Sequence, residues 1–287
     1  GKDTTQWILL LSINPGGPNG GSATQYFVGH FDGQKFVNQN PDTTTIWLDG
    51  GRDNYAGVTW NNIPAMDGRR IFLGWMSNWL YGQQVPSASW RSAMTIPRQL
   101  TLHQEASGLR LHQSPVKEIQ SIRSEEFSIS NEVVTSELDL TNKLNFSPAQ
   151  MEVSLEFSLD SNTTDFGISI SNSLGEEYRI GYDAVTNQYY SDRTHSGKST
   201  FSKDFSSTVV NTTRRATDQQ FQWQVFFDVS SCEFFADNGE VVMTEIFFPN
   251  QDYDRIKFYT KGGSARIQNA EIYHIGSIFP VAQVITH

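Results

Sequence analysis

No stretch of this chain sustains apolar residues at helical spacing for three turns. Its apolar residues come in short runs rich in β-branched and aromatic side chains, each closed by Gly, Asn, Asp or Pro. That pattern specifies an all-β fold. Met151-Glu-Val-Ser-Leu-Glu-Phe-Ser-Leu159 shows it most clearly, because successive side chains of a strand point to opposite faces. Strict alternation puts Met151, Val153, Leu155, Phe157 and Leu159 on one side and predicts a strand with one wet face. Asp32-Gly33, Asp67-Gly68 and Asp237-Asn238-Gly239 stand between extended runs, where residues tolerant of positive φ let a tight turn match strand twist. Three hairpins follow. A short helical turn is expected over Val116 to Ile122.

The two halves differ in texture. Residues 1–112 hold six of the 7 tryptophans and the loop Asn14-Pro-Gly-Gly-Pro-Asn-Gly-Gly-Ser22, whereas the later residues give regular alternating strands with Ser/Thr/Asn connections and only Trp223. The expected organisation is a first β domain over 1–112, a linker over 113–124 and a second domain over 125–287. The second, with about ten short strands, reads as two packed sheets, a β-sandwich. Arg193, Asp237 and Glu240 read as its solvated strand ends.

A chain of 287 residues with 37% hydrophobic and 13% aromatic content can bury substantial cores. Its 21 basic against 31 acidic residues give a net charge of −10, which repels a phosphate backbone or an anionic membrane surface. Neither nucleic acid nor membrane is an expected partner; a neutral one fits better. The chain opens on Gly1 with a strand-like run from Trp7 to Ile13, as a cut or processed chain would. Cys232 has no second cysteine to pair with and reads as an inert core thiol. The histidines show no pair at metal-ligand spacing and imply no metal or cofactor, and His103 and His112 read as exposed strand or loop residues. Sequons at Asn145, Asn162 and Asn211 suit a secreted, extracellular glycoprotein.

The Gly-rich loop lacks a Gly-Lys-Ser/Thr ending and opens no helix, so it is a turn rather than a phosphate cradle, and no Gly-x-Ser-x-Gly elbow exists. Asp32 and Asp67 brace their turns. More informative are Trp47-Leu-Asp-Gly-Gly-Arg-Asp-Asn-Tyr-Ala-Gly-Val-Thr-Trp60, Gly74-Trp-Met-Ser-Asn-Trp79 and Trp90-Arg-Ser-Ala-Met-Thr-Ile-Pro-Arg98. Aromatic planes beside Asp, Asn and Arg suit a neutral sugar, whose ring has an apolar face and a rim of hydroxyls. The same tryptophans could equally be core filler, and composition alone leaves both readings open.

These segments, with Trp7 to Pro18, Gln25 to Gly33, Arg179-Ile-Gly-Tyr-Asp183, Tyr190-Ser-Asp-Arg193 and Ala236 to Thr244, resemble glycoside hydrolase family 32, the invertases, exo-inulinases and levanases. The resemblance covers essentially the whole chain. It implies a five-bladed β-propeller followed by a β-sandwich, of which 1–112 would be the last blades. It also implies that Trp75 and Trp79 form an aromatic platform over a fructosyl unit, and that Asp49, Arg52 and Tyr55 are contacts beside the scissile bond or the leaving-group sugar. Asp53 reads as a contact or as an anchor behind them.

The family's Trp-Met-Asn-Asp-Pro-Asn block with the nucleophile, its Arg-Asp-Pro block and its Glu-Cys block with the acid/base are absent from this sequence. No residue here is therefore assigned a catalytic role. The expected partners are sucrose or a fructan and a missing N-terminal propeller segment, and the sandwich is the surface through which a homodimer would form. The rival expectation is a non-catalytic fructan-binding or lectin-like module.

Overall fold

The computed structural model describes residues 5–278, so the outer ends of both expected domains, 1–4 and 279–287, lie outside the described residues. Among the described residues twenty strands and one short 3-10 turn account for the regular structure. Strands β1 (Trp7–Ile13), β2 (Ala23–Phe31) and β3 (Phe36–Asn38) form an antiparallel three-stranded sheet. A second small sheet is built from β4 (Tyr55–Thr59), β5 (Ile71–Met76), β6 (Ala93–Met94), β7 (Arg98–Glu105) and β8 (Gly108–Pro115), ordered β4-β5-β7-β8 with β6 beside β5. The 3-10 turn Lys117–Ile122 leads into β9 (Arg123–Val134).

Eleven further strands follow: β10 (Glu137–Asp139), β11 (Met151–Leu159), β12 (Asp165–Ser171), β13 (Glu177–Asp183), β14 (Gln188–His195), β15 (Val210–Thr213), β16 (Gln220–Asp228), β17 (Ser231–Ala236), β18 (Val241–Ile246), β19 (Arg255–Lys261) and β20 (Ala265–Ile275). With β9 they make two six-stranded sheets, β10-β19-β12-β13-β14-β15 and β18-β17-β16-β11-β20-β9. The three expected turns close hairpins between β2 and β3, β4 and β5, and β17 and β18.

One core joins the inner faces of the two six-stranded sheets. Met151, Val153, Leu155 and Phe157 of β11 are buried there as their alternation requires. Trp223 packs edge-on to Phe157 and Phe234 at 4.8 and 5.1 Å, and Cys232 lies in the same core, where burial pushes its thiol pKa up. The other face of β11 is not uniformly wet. Glu152 is fully buried because Arg123 donates to both its oxygens at 2.7 and 2.5 Å and Gln224 donates at 2.7 Å. A carboxylate leaves water only when such donors replace its hydration.

The reading of Arg193, Asp237 and Glu240 as solvated ends is corrected by the packing of the two halves. Arg193 is 1% exposed and Asp237 6%, while Glu240 is half-buried. Asp237 accepts from Tyr189 Oη at 2.6 Å and from Arg214 at 3.1 Å. Its turn is pressed against β8, where Gln113 N–H donates to Gly239 at 3.0 Å; a Cβ on Gly239 would stand 1.9 Å from the Gln113 carbonyl. Apolar contact seals the same seam. Met76, Tyr81 and Val85 of the first half pack on Phe205, Ile246 and Phe248 of the second, and Ile96 and Ile119 lie on Phe226, Phe235 and Val242.

Strand β1 stands at the edge of its sheet and shows water an alternating stripe of Trp7, Leu9 and Leu11, 46%, 41% and 45% exposed. None of the helical structure among the described residues is long and apolar enough to cross a membrane.

Candidate functional site

Three of the five sequence-identified residues come together. Tyr55 on β4 pairs directly with Trp75 on β5, their rings edge to face at 6.3 Å, and Trp79 in the turn after β5 tilts against Trp75 at 5.1 Å. Trp79 is 47% exposed, and Tyr55 and Trp75 are half-buried, so the cluster stays open to solvent rather than closing into a core.

The ridge is stiffened from the Gly-rich loop. Trp79 N–H donates to Ser22 Oγ at 3.1 Å, and Asn78 Nδ2 donates to the carbonyls of Gly20 and Arg52 at 3.2 and 2.9 Å. Gly21, at φ +68°, makes this approach possible: a Cβ there would lie 2.0 Å from Asn78 Oδ1.

The two polar members of the set are placed otherwise. Asp49 is 4% exposed and Arg52 8%. Asp49 Oδ1 accepts from Gly51 and Thr244 N–H at 2.8 and 2.9 Å. Its Oδ2 accepts from Arg98 at 2.9 Å, Asn54 at 3.2 Å and Thr244 Oγ1 at 2.6 Å. Five donors fill its lone pairs and leave none for a sugar hydroxyl. Arg52 reaches into the second half, donating to the Asp204 carbonyl at 2.7 Å and to Thr208 Oγ1 at 2.9 Å.

The segment 49–54 lies along β18, the edge of its six-stranded sheet, and meets its backbone groups with both main chain and carboxylates. Gly50 and Asp53 N–H donate to the carbonyls of Val242 and Thr244 at 2.7 and 3.0 Å. Arg52 N–H likewise donates to Glu245 Oε1 at 2.8 Å, and in return Thr244 N–H goes to Asp49 Oδ1 and Ile246 N–H to Asp53 Oδ2 at 3.0 Å. Unpaired strand edges are ordinarily covered, and here the cover leads straight into Tyr55.

Two buried arginines crossing the seam in opposite directions lock this segment. Arg98, fully buried, bonds Asp49 and also Glu233 Oε2 and Thr244 Oγ1, both at 2.6 Å. Arg193 bonds Asp53 at 2.6 Å and Tyr81 Oη at 2.8 Å and lies 3.0 Å from Glu245 Oε2. Burial raises the pKa of Glu233 despite Arg98, and burial, offset by Arg193 and reinforced by Asp53, pushes Glu245 up to about 7. Glu233, Glu245 and the role of Arg193 were missed in the sequence reading. The available signal was a lone carboxylate in an apolar strand, as in Cys232-Glu-Phe-Phe235 and Val241-Val-Met-Thr-Glu-Ile246.

Among the described residues, Glu105, His112 and Glu240 bring three ligand-type atoms within 4.8 Å of one another. Arg215 already bonds both oxygens of Glu105, at 2.9 and 3.1 Å. His112 is half-buried rather than exposed, stacked on His103 at 4.0 Å and 3.1 Å from Glu105 Oε1.

Comparison with known proteins places this architecture. The model of the glycosyl hydrolases family 32 N-terminal domain matches residues 1–115, and that of the family 32 C terminal matches 118–274. The chain belongs to glycoside hydrolase family 32. Within it, the chain is 34% identical over 275 residues to a levanase of Bacillus subtilis (strain 168), covering 96% of this chain and 40% of that protein. It is likewise 34% identical over 287 residues to an extracellular exo-inulinase of Aspergillus awamori, covering 96% and 52%. The chain thus spans about half the length of the curated relatives it matches. Among solved structures, the Aspergillus awamori exo-inulinase superposes with a TM-score of 0.84 at 30% identity, over 97% of this chain and 55% of that one. A Schwanniomyces occidentalis fructofuranosidase complexed with fructose gives 0.83 at 28% identity, over 96% and 58%.

Proposed function

We propose that this family 32 chain supplies one wall of a fructosyl pocket in a retaining β-fructofuranosidase acting on sucrose, inulin or levan, and that residues 1–112 are the last blades of a five-bladed propeller, 113–124 a linker and 125–287 the sandwich. The observation that carries the reading is the solvent-facing ridge of Tyr55, Trp75 and Trp79, whose Trp79 turn is held by hydrogen bonds to Ser22, Gly20 and Arg52 rather than buried. Such faces stack on the apolar side of a sugar ring. In this reading Asp49 and Arg52 hold the ridge in place from beneath it.

Retaining hydrolysis needs two carboxyls about 5–5.5 Å apart, a nucleophile and an acid/base. Asp49 and Asp53, the carboxylates nearest the ridge in sequence, have their oxygens engaged by donors at the seam. The reactive pair is therefore assigned to an N-terminal propeller segment, and the exposed apolar stripe on edge strand β1 is the surface it would cover. The relatives named extracellular support a secreted protein, and the sequon residues Asn145, Asn162 and Asn211 are all exposed as glycosylation needs.

Titrating inulin oligosaccharides into the chain while following tryptophan fluorescence tests the wall. Saturable quenching that Trp79→Ala weakens roughly tenfold is expected from the loss of one stacking face; quenching indifferent to Trp79 would refute the assignment.

A further inference from the structure

The outer face of the sheet β10-β19-β12-β13-β14-β15 carries a trough remote in sequence from the aromatic ridge. Strand register sets one row of directly opposed residues across it: Tyr259, Gly167, Gly181, Tyr190 and Asn211. The two glycines give a buried stretch of backbone without side chains. The tyrosines lie down over it from either side, since a Cβ on Gly167 would meet Tyr259 Oη at 2.5 Å and one on Gly181 the Tyr190 ring at 2.5 Å. Their hydroxyls bond to each other, and Tyr190 Oη also donates to Asp165 at 2.7 Å.

Two adjoining hollows of about 310 and 610 Å³ fill this face and share Arg179 and Lys261. Together their linings run from Glu137 on β10 to Asn211 on β15, a span of five strand spacings or about 24 Å.

Every cation on the rim has a carboxylate partner, and Glu177 and Asp183 leave the lining acidic on balance. Lys257 lies 2.9 Å from Glu137, Lys261 2.8 Å from Asp165 and Arg179 2.6 Å from Asp192. No net positive field is left to draw an anion, and the lining is too polar for an apolar ligand. What remains is a long row of donors and acceptors beside a tyrosine ring, which is the complement of several linked hydroxyl-bearing rings.

We propose that this trough is a second carbohydrate site that binds an extended neutral oligosaccharide, holding a polymer on the sandwich apart from the ridge of Tyr55, Trp75 and Trp79. That the polymer is a fructan rests on the function proposed above; the trough itself does not. The test is calorimetric titration of the 287-residue chain, made without N-glycans so that Asn211 is bare, with short inulin oligosaccharides. In a Trp79→Ala background, binding survives, and Arg179→Ala or Lys261→Ala weakens it at least tenfold. Both side chains are partly exposed, 34% and 61%, so their loss leaves the fold intact, which the melting temperature checks. Residual binding that neither substitution changes, or no binding at all once Trp79 is gone, overturns the proposal. If instead Trp79→Ala changes nothing while Arg179→Ala abolishes binding, the trough stands and the ridge assignment fails.

Discussion

Arg98 Nη2 lies 2.6 Å from Glu233 Oε2, a salt bridge from the first half of the chain to the second in which the side chains are 0% and 3% exposed. The same guanidinium holds Asp49, so one side chain ties the segment before the aromatic ridge to the sandwich.

Removing that tie leaves two carboxylates buried without their cation, which typically costs about 3–5 kcal/mol. Arg98→Met is expected to lose that much stability in urea unfolding. Arg98→Lys should lose less, because an ammonium keeps the charge but not the planar fork that bonds both partners.

Glu245 gives the seam a pH dependence. Its pKa is pushed from 4.5 to about 7, chiefly by burial. Between those values the folded chain keeps a proton that the unfolded chain has released, so this group favours folding at the acid end and weakens it as pH rises through 7, by at most about 3 kcal/mol. Glu245→Gln should accordingly melt near wild type at pH 5 and above it at pH 8. Parallel melting curves for the two proteins across that range would argue against the assignment.

Backbone closeness at Gly51 offers a test of the contact between 49–54 and β18. A Cβ there would stand 2.3 Å from the Thr244 carbonyl and 2.4 Å from its nitrogen. Backbone has little room to yield, so Gly51→Ala is expected to destabilise by about 1–3 kcal/mol. It should also expose the region 113–124 to limited proteolysis earlier than in wild type.

Much of this could be read beforehand. Strand periodicity in Met151–Leu159 and turn chemistry at Asp237-Asn238-Gly239 are local properties that side-chain type and spacing carry, whereas the pairing of Trp75 with Trp79 was legible only through the resemblance to family 32. What escaped is non-local. Arg193 and Asp53 are 140 positions apart and meet only because two halves dock, so a charge that looks solvated in its own strand is buried by a remote surface. Asp49 shows the same effect. The resemblance to family 32 implied a sugar contact, while Asp49 is held by Thr244 of the other half as well as by Arg98.

The Gly-rich loop is expected to matter through position alone. Gly21→Ala would drive a methyl into Asn78, whose amide anchors the Trp79 turn. Sugar binding at the ridge should weaken without loss of the sandwich, which far-ultraviolet circular dichroism and inulin titration on the same sample would separate.

The most direct measurement of the central claim is fructose release from sucrose and inulin by the chain alone and after reconstitution with the N-terminal propeller segment of a family 32 relative. The account predicts no release from the chain by itself and measurable release once the segment bearing the two carboxylates is supplied. Fructose liberated by the purified chain alone would contradict it.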